Sequence, residues 1–189
     1  MKLLWAIPLL MVGLNAEITL PENFESNFEQ TVTNEKGKAI HYEGNVVYRY
    51  NKYVYINSMG KEIEITNGLF KWHYASPTQK EVCSDGMQIV VIDHDLEQIS
   101  KYIIDEGFDL EKILKVAQET APLEYKATYQ DVVYHIILDA NRQLSKISYI
   151  DNMDNRVDIL FRQMHYNIPS FDETKLECPI NSDYDVIEG

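Results

Sequence analysis

Basic side chains are in short supply in this chain: 17 Lys and Arg stand against 30 Asp and Glu, a formal charge of −13. A surface of that sign repels nucleic acid and anionic lipid headgroups alike. Catalytic signatures are missing as well. No phosphate loop, no G-x-S-x-G and no HExxH occurs. His41, His73, His135 and His165 are scattered through strand-like segments without metal-ligand spacing. Asp93-His94-Asp95 has the residue types of an acid–base or metal site, but it falls where a tight turn is expected, and there Asp is favoured for backbone reasons. Cys83 follows Glu81 and precedes Asp85, an acidic setting that raises a thiol pKa and disfavours a nucleophile. The expectation is a protein that is not an enzyme, with no cofactor and no metal.

Only two cysteines are present, Cys83 and Cys178. Two readings stay open for them. One is a disulfide closing a loop of about 95 residues, worth roughly 4–5 kcal/mol in the chain-entropy description. The other is a pair of unbonded thiols, one in each of two strands. Long apolar runs are also absent, apart from one at the start. Lys2, the apolar stretch Leu3 to Leu14 and the small pair Asn15-Ala16 read as a signal peptide, since about 20 apolar residues are needed to span a bilayer. No cysteine lies at the junction, which disfavours a lipid-modified N-terminus. Removing residues 1–16 of the 189 leaves 173, enough for a single domain over 17–189, and shifts the charge to −14. The mature chain is expected to be exported and not anchored.

Thirteen tyrosines against eight glycines point to β-structure with aromatic faces. Phe24 to Val32 alternates, although Phe24 and Phe28 behind Pro21 would also suit a helix start; a strand is preferred. Lys36-Gly37-Lys38 forms a hairpin loop, and Ala39 to Tyr50 a longer strand. Lys52 to Ile56 and Glu62 to Thr66 flank Asn57-Ser58-Met59-Gly60 as a further hairpin, and Asn67-Gly68 reads as a primed turn. In Leu69 to Gln98, Phe70, Trp72 and Tyr74 share one strand face. Ser76-Pro77 breaks that strand, Asp85-Gly86 turns the next, and strands run over Thr78 to Ser84, Met87 to Ile92 and Leu96 to Ile104. Phe108 to Thr120 is the one helix, with Asp109 as cap and Leu110, Ile113, Leu114 and Ala117 as an apolar stripe. Strands follow over Glu124 to Tyr129, Val132 to Leu138, Leu144 to Ile150, Arg156 to Tyr166 and Thr174 to Cys178, before a polar tail. Such a series implies a mainly β fold, a barrel-like antiparallel sheet closed or covered by the helix. The aromatic face of Phe70, Trp72 and Tyr74 is then either ordinary core or the wall of a ligand cavity.

Asn27 to Val32, then Tyr42-Glu43-Gly44-Asn45-Val46, resemble the opening strands of the LolA-type periplasmic lipoprotein carriers. Leu69 to Tyr74 with Pro77 resembles that family's aromatic-Trp block. Ser84-Asp85-Gly86, Val91-Ile92-Asp93 and Leu96-Glu97-Gln98 continue it in order, and Lys175 to Pro179 with Asp185-Val186-Ile187 is similar to its closing segment. The resemblance implies an incomplete antiparallel β-barrel of about 11 or more strands covered by a helical lid. It implies a periplasmic monomer that takes acylated lipoproteins from an inner-membrane ABC lipoprotein exporter of the LolCDE type and carries them to an acceptor at the outer membrane. Phe70, Trp72 and Tyr74 would line the acyl cavity, and Leu110, Ile113 and Leu114 would belong to the lid. Two departures are visible. The N-terminal helix of the family is short or missing here, and Tyr50 to Asn67 inserts a hairpin where the family carries a basic-Pro turn, leaving Arg49 nearest to its cargo-transfer arginine. The rival is a periplasmic interaction or envelope-stress sensing module on the same half-barrel, for which a solidly packed interior is expected. A membrane-anchored acceptor is disfavoured by the missing lipidated cysteine.

Overall fold

Turn chemistry sets the strand boundaries. The side-chain oxygen of Asn34 accepts the backbone N–H groups of Lys36 and Lys38, and Asn57 does the same for Met59 and Lys61. Asp139 holds Asn141 and Gln143, and Asp151 holds Met153 and Asn155, in the same way. One short polar side chain thus satisfies two N–H groups that a hairpin loop leaves over. Gly37 and Gly60 supply the positive φ (77° and 73°) that the first two of these loops need.

The computed structural model describes residues 18–84, 88–103 and 110–188. The expected signal peptide, the Asp85-Gly86 turn and the Asp109 cap lie outside them. The strands are β1 (Asn23–Thr33), β2 (Ala39–Ile56), β3 (Glu62–Ser76), β4 (Lys80–Ser84), β5 (Gln88–Asp93) and β6 (Gln98–Ile103). After helix α1 (Leu110–Lys115) come β7 (Gln118–Ala121), β8 (Glu124–Tyr129), β9 (Val132–Leu138), β10 (Leu144–Ile150), β11 (Arg156–Tyr166) and β12 (Asp185–Glu188). They form one 12-stranded sheet in the order β12-β6-β5-β4-β3-β2-β1-β11-β10-β9-β8-β7, with β12 and β7 as its edges. The sheet is therefore open and not closed into a barrel. Every pairing is antiparallel except that of β12 with β6.

The sheet is strongly rolled. Ile89 on β5 and Tyr149 on β10 line one small cavity of about 150 Å³, yet they are six strand spacings apart, roughly 29 Å on a flat sheet at about 4.8 Å per strand. The inner face carries the main core. Phe24 stacks on Tyr48 with ring centroids 5.0 Å apart, and Phe28 meets Trp72 and Tyr74 edge-on at 4.8 and 5.0 Å. Trp72 reaches Phe161 of β11 at 6.1 Å. Such ring pairs add about 0.5–1.5 kcal/mol each beyond their area. Gly44 allows the closest backbone approach in this region: a Cβ there would lie 1.8 Å from the His73 carbonyl oxygen, so β2 can meet β3 at that point only without a side chain.

Five expected elements differ. Ala39 to Tyr50 and Lys52 to Ile56 are one continuous strand, and Asn67-Gly68 lies inside β3 and is no turn. Gly68 is there for space, because a Cβ would come 2.8 Å from the Tyr48 ring. The helix covers only Leu110–Lys115, since 118–121 pair with β8 instead. Thr174 to Cys178 is not a strand: Asp172 accepts the Thr174 N–H and starts a 3₁₀ turn over Glu173–Leu176. The polar tail contributes β12.

The C-terminal segment crosses the outer face. Cys178 is disulfide-bonded to Cys83, with Cα atoms 6.2 Å apart. The Lys71 Nζ donates to the Glu177 carbonyl at 2.8 Å, and Lys175 pairs with Glu25 at 2.7 Å. The Asp185 N–H reaches the Glu97 carbonyl, and His94 bonds the Tyr184 hydroxyl at 3.1 Å. On this face Val47, Cys83, Ile92 and Ile99 are buried although none belongs to the main core. The disulfide thus fastens a strap over a second, smaller apolar layer. Reduction, or the pair Cys83→Ala and Cys178→Ala, is expected to lower Tm by up to about 10–15 °C, from loop entropy of roughly 4 kcal/mol at about 2–4 °C per kcal/mol. Hydrogen exchange should then quicken first in β12 and β6 and leave β8 to β11 protected; thermal scans with and without reductant, followed by exchange, check both.

Candidate functional site: an apolar cavity beside the helix

Strands β6 and β7 are consecutive in the chain but sit at opposite ends of the sheet. The connection between them must cross from one side of the roll to the other, and it carries α1. Within α1, Ile113 and Leu114 are fully buried and join the inner core. Glu111 and Lys115 pair at 2.6 Å along one turn, the lysine exposed and the glutamate largely covered. The helix is amphipathic and set into the β8 side of the inner face, so it fills part of the space enclosed by the sheet. A cavity of about 240 Å³ remains beside it.

The floor of this cavity is built by three strands in register. Tyr48 opposes Phe70 and Val46 opposes Trp72 across β2 and β3, while Phe24 lies opposite Tyr48 on β1. Ser84 and Ile89 continue the wall on β4 and β5, and Leu110 contributes from α1. Thr66, Asn67, Glu111, Lys112 and Lys115 supply polar groups to the lining. Phe70, Trp72 and Ile89 also border the neighbouring cavity of about 150 Å³, whose other walls include Tyr74, Val82 and Tyr149. The two spaces share a wall of large apolar side chains, and together they run under β1 to β5.

Tyr74 presents a neutral hydroxyl at the smaller cavity. Its hydroxyl donates to the Gln30 side-chain oxygen at 3.0 Å, and burial, followed by the neighbouring Tyr42, pushes its pKa up to about 12. Burial likewise raises the pKa of Tyr149. Among the described residues, the one cluster with metal-type side chains is Glu81, Cys83 and Cys178 on the outer face, and its two sulfurs are bonded to each other.

Of the residues singled out in the sequence, Phe70, Trp72 and Leu110 meet at the larger cavity, and Tyr74 lines the smaller. Ile113 and Leu114 sit in the core behind it and do not line it. Arg49 follows Tyr48 in β2 and so points to the outer face, where it forms an ion pair with Glu173 of the strap. The structure does not bring it to the cavity. Asp93-His94-Asp95 is a turn: the Asp93 carboxylate accepts the N–H groups of Asp95 and Leu96. Sequence reasoning missed Phe24, Val46 and Tyr48 as cavity residues. Their alternation was visible, but only the register of β1, β2 and β3 places them opposite Phe70 and Trp72.

The family described as "Outer membrane lipoprotein carrier protein LolA" matches residues 65–109, which span the end of the β2–β3 ribbon, the Trp strand and the approach to α1. The outer-membrane lipoprotein carrier protein of Wolinella succinogenes is 30% identical over 145 residues, covering 77% of this chain and 75% of that protein. The Campylobacter jejuni protein of the same name is 26% identical over 188 residues, 99% of each chain. Among solved structures, a LolA superfamily protein from Nitrosomonas europaea aligns with a TM-score of 0.45 and 11% identity over 85% of this chain and 93% of that one. On sequence similarity over three quarters of its length, the chain belongs to the outer-membrane lipoprotein carrier protein family.

Proposed function

We propose that this chain is a periplasmic carrier that holds the acyl chains of lipoproteins in the cavity beside α1 and moves them from the inner to the outer membrane. The observation that carries this reading is an apolar cavity, floored by Phe24, Tyr48, Phe70 and Trp72, that the sheet and helix leave unfilled. Each CH₂ withdrawn from water is worth about 0.8 kcal/mol, so acyl chains of ordinary length need such a surface and need no catalytic residue. The polar groups of Thr66, Asn67, Glu111 and Lys112 in the lining suit the point where an acyl chain meets its polar headgroup. An inner-membrane ABC exporter of the LolCDE type is the proposed source of cargo. A solid interior would have favoured an interaction module; the unfilled space supports the carrier.

The cavity is smaller than the roughly 300–1,000 Å³ usual for a small-molecule site, so a full acyl load requires α1 to shift outward. That movement separates Leu110 from Phe70 and Trp72 while the β8 to β11 half of the core stays packed. Uniform, non-directional contacts favour such a role, because cargo bound by hydrophobic contact alone can be handed on without breaking specific polar bonds.

Trp72 is the sole tryptophan beyond residue 16, and it lies in the cavity floor. Adding an acylated peptide to the mature chain is expected to change its emission, and a triacylated lipoprotein should co-elute with the protein. Phe70→Glu should abolish both, by placing a charge against acyl chain. A folded protein that never retains an acylated ligand overturns the proposal.

The raised pKa of Tyr74 has a signed consequence. The folded state keeps Tyr74 neutral up to about pH 12, while the unfolded chain ionises near its ordinary value of about 10. Stability contributed by this group is therefore full below about pH 10 and is lost as pH rises from there to about 12. Chemical denaturation of the parent and of Tyr74→Phe across pH 8–11.5 should show the parent losing stability faster above pH 10. Acyl binding should stay flat between pH 6 and 9.

A further inference from the structure

The ribbon formed by the far ends of β2 and β3 is the least supported part of the sheet. Strand β1 pairs with β2 only as far as Asn23 opposite Arg49, and β4 pairs with β3 only as far as Ser84 opposite Phe70. Beyond those points Asn51–Ile56 and Glu62–Asn67 pair with each other and, among the described residues, with no other strand. At about 3.4 Å per residue the ribbon projects some 20 Å from the body. A free two-stranded ribbon is marginal in water. Its end is nonetheless apolar: Ile56 is 69% exposed, Met59 at the turn 85%, and Val54 and Tyr55 57% and 46%.

We infer that this hairpin tip is a membrane-docking element that inserts Ile56 and Met59 into the interface of a neutral, zwitterionic bilayer. Three observations choose this occupant over a protein surface or an anionic membrane. First, the ribbon from Tyr50 to Gly68 has no net charge, Lys52 and Lys61 balancing Glu62 and Glu64, in a chain of net charge −13. The tip is thus a neutral end on a molecule whose remainder is repelled by anionic headgroups. Second, Tyr55 follows Ile56 inward and Lys52 comes further in, an order that suits a water–lipid boundary, where rings and long amines reach the headgroup level. Lys61 stands beside the turn, and Glu62 opposite Ile56 is on the edge-exposed ribbon, where its carboxylate can reach the headgroup level. Third, the base of the ribbon, at Thr66, Asn67 and Gly68, is part of the cavity lining. An element that touches lipid at one end and the cavity at the other places the cavity near a bilayer surface.

The inference concerns the free protein and needs no cargo, so it stands or falls apart from the carrier reading. The test is sedimentation of the purified mature chain with phosphatidylcholine vesicles, and with vesicles containing phosphatidylglycerol at low salt. The parent should sediment with the neutral vesicles and less with the anionic ones. The double variant Ile56→Ser/Met59→Ser, whose changes fall on exposed side chains, should keep its circular dichroism and Tm but partition at least about tenfold less, since each lost apolar contact is worth about a factor of ten. Tyr55→Trp supplies a second readout, a blue shift of emission on adding vesicles beyond that of the parent. Failure of the parent to bind neutral vesicles, equal partitioning of the double variant, or tighter binding to the anionic vesicles overturns the inference. So does an Ile56- and Met59-dependent protein partner in the absence of vesicle binding. Acylated-peptide binding followed through Trp72 should be the same in parent and double variant.

Discussion

A single rolled sheet cannot stand without something against its inner face, and in this molecule that requirement organises everything else. Rolling brings β5 and β10 to the borders of one cavity and turns the aromatic rows of β1, β2 and β3 toward the inside of β11. The apolar area is then available in a concave surface that no second sheet can cover. The covering element is imposed by chain order, because β6 and β7 occupy opposite ends of the sheet and the segment joining them has to pass across the opening. Among the described residues the cover is the six-residue helix α1, and it does not fill the whole space. Ile113 and Leu114 complete the core on the β8 side, and the β1 to β5 side keeps a void. The cavity is thus a direct result of a wide sheet paired with a short cover.

The two faces of the sheet are secured by different means, and the difference matters for what can move. The outer face is closed by a covalent bond, Cys83–Cys178, with ion pairs from Arg49 and Lys175 and a hydrogen bond from Lys71 to the Glu177 carbonyl along the strap. Lys71 also faces Glu81, a carboxylate almost without solvent exposure, at 3.2 Å; such a pair is costly to break on one side only. The inner face is closed by noncovalent contact alone, chiefly the apolar packing of Ile113 and Leu114 of α1; the Glu111–Lys115 pair lies within the helix and does not tie it to the sheet. The opening proposed for cargo entry would therefore move the helix and spare the strap. The disulfide stiffens β3, β4 and the C-terminal segment, which gives the cavity floor a rigid backing while its cover is free to yield.

How legible this was in the sequence differed from element to element for physical reasons. Strands β8 to β11 lie at the bounds that alternation and Asx turns mark, because each is half-buried and flanked by a loop that its own Asp or Pro closes. Asn67-Gly68 misled, since the same glycine that suits a primed turn also suits a strand passing under a ring, and only the position of Tyr48 distinguishes the two. The helix was overextended because Ala117 keeps the apolar period. The competing pull, pairing of 118–121 with β8, is tertiary and leaves no local trace. The tail was read only as polar, yet Val186 and Ile187 form a parallel edge that depends on the strap being brought alongside β6. For the candidate site, the aromatic face of β3 was visible in the alternation of Phe70, Trp72 and Tyr74, whereas the contribution of β1 and β2 needed the register.

The ribbon of β2 and β3 joins these threads. In a fold that uses its inner face for apolar contact and its outer face for charge, a projecting ribbon with Ile56 and Met59 in water belongs to neither pattern. It is not required to complete the sheet, since β1 and β4 both stop short of it. It is not required for the core, which contains none of its tip residues. Stability therefore does not account for it, and exposed apolar side chains at a loop end oppose solubility. A contact made outside the molecule does account for it. The ribbon's base meets α1 residues in the lining of one cavity, so two continuous strands join the proposed contact at the tip to the cavity wall.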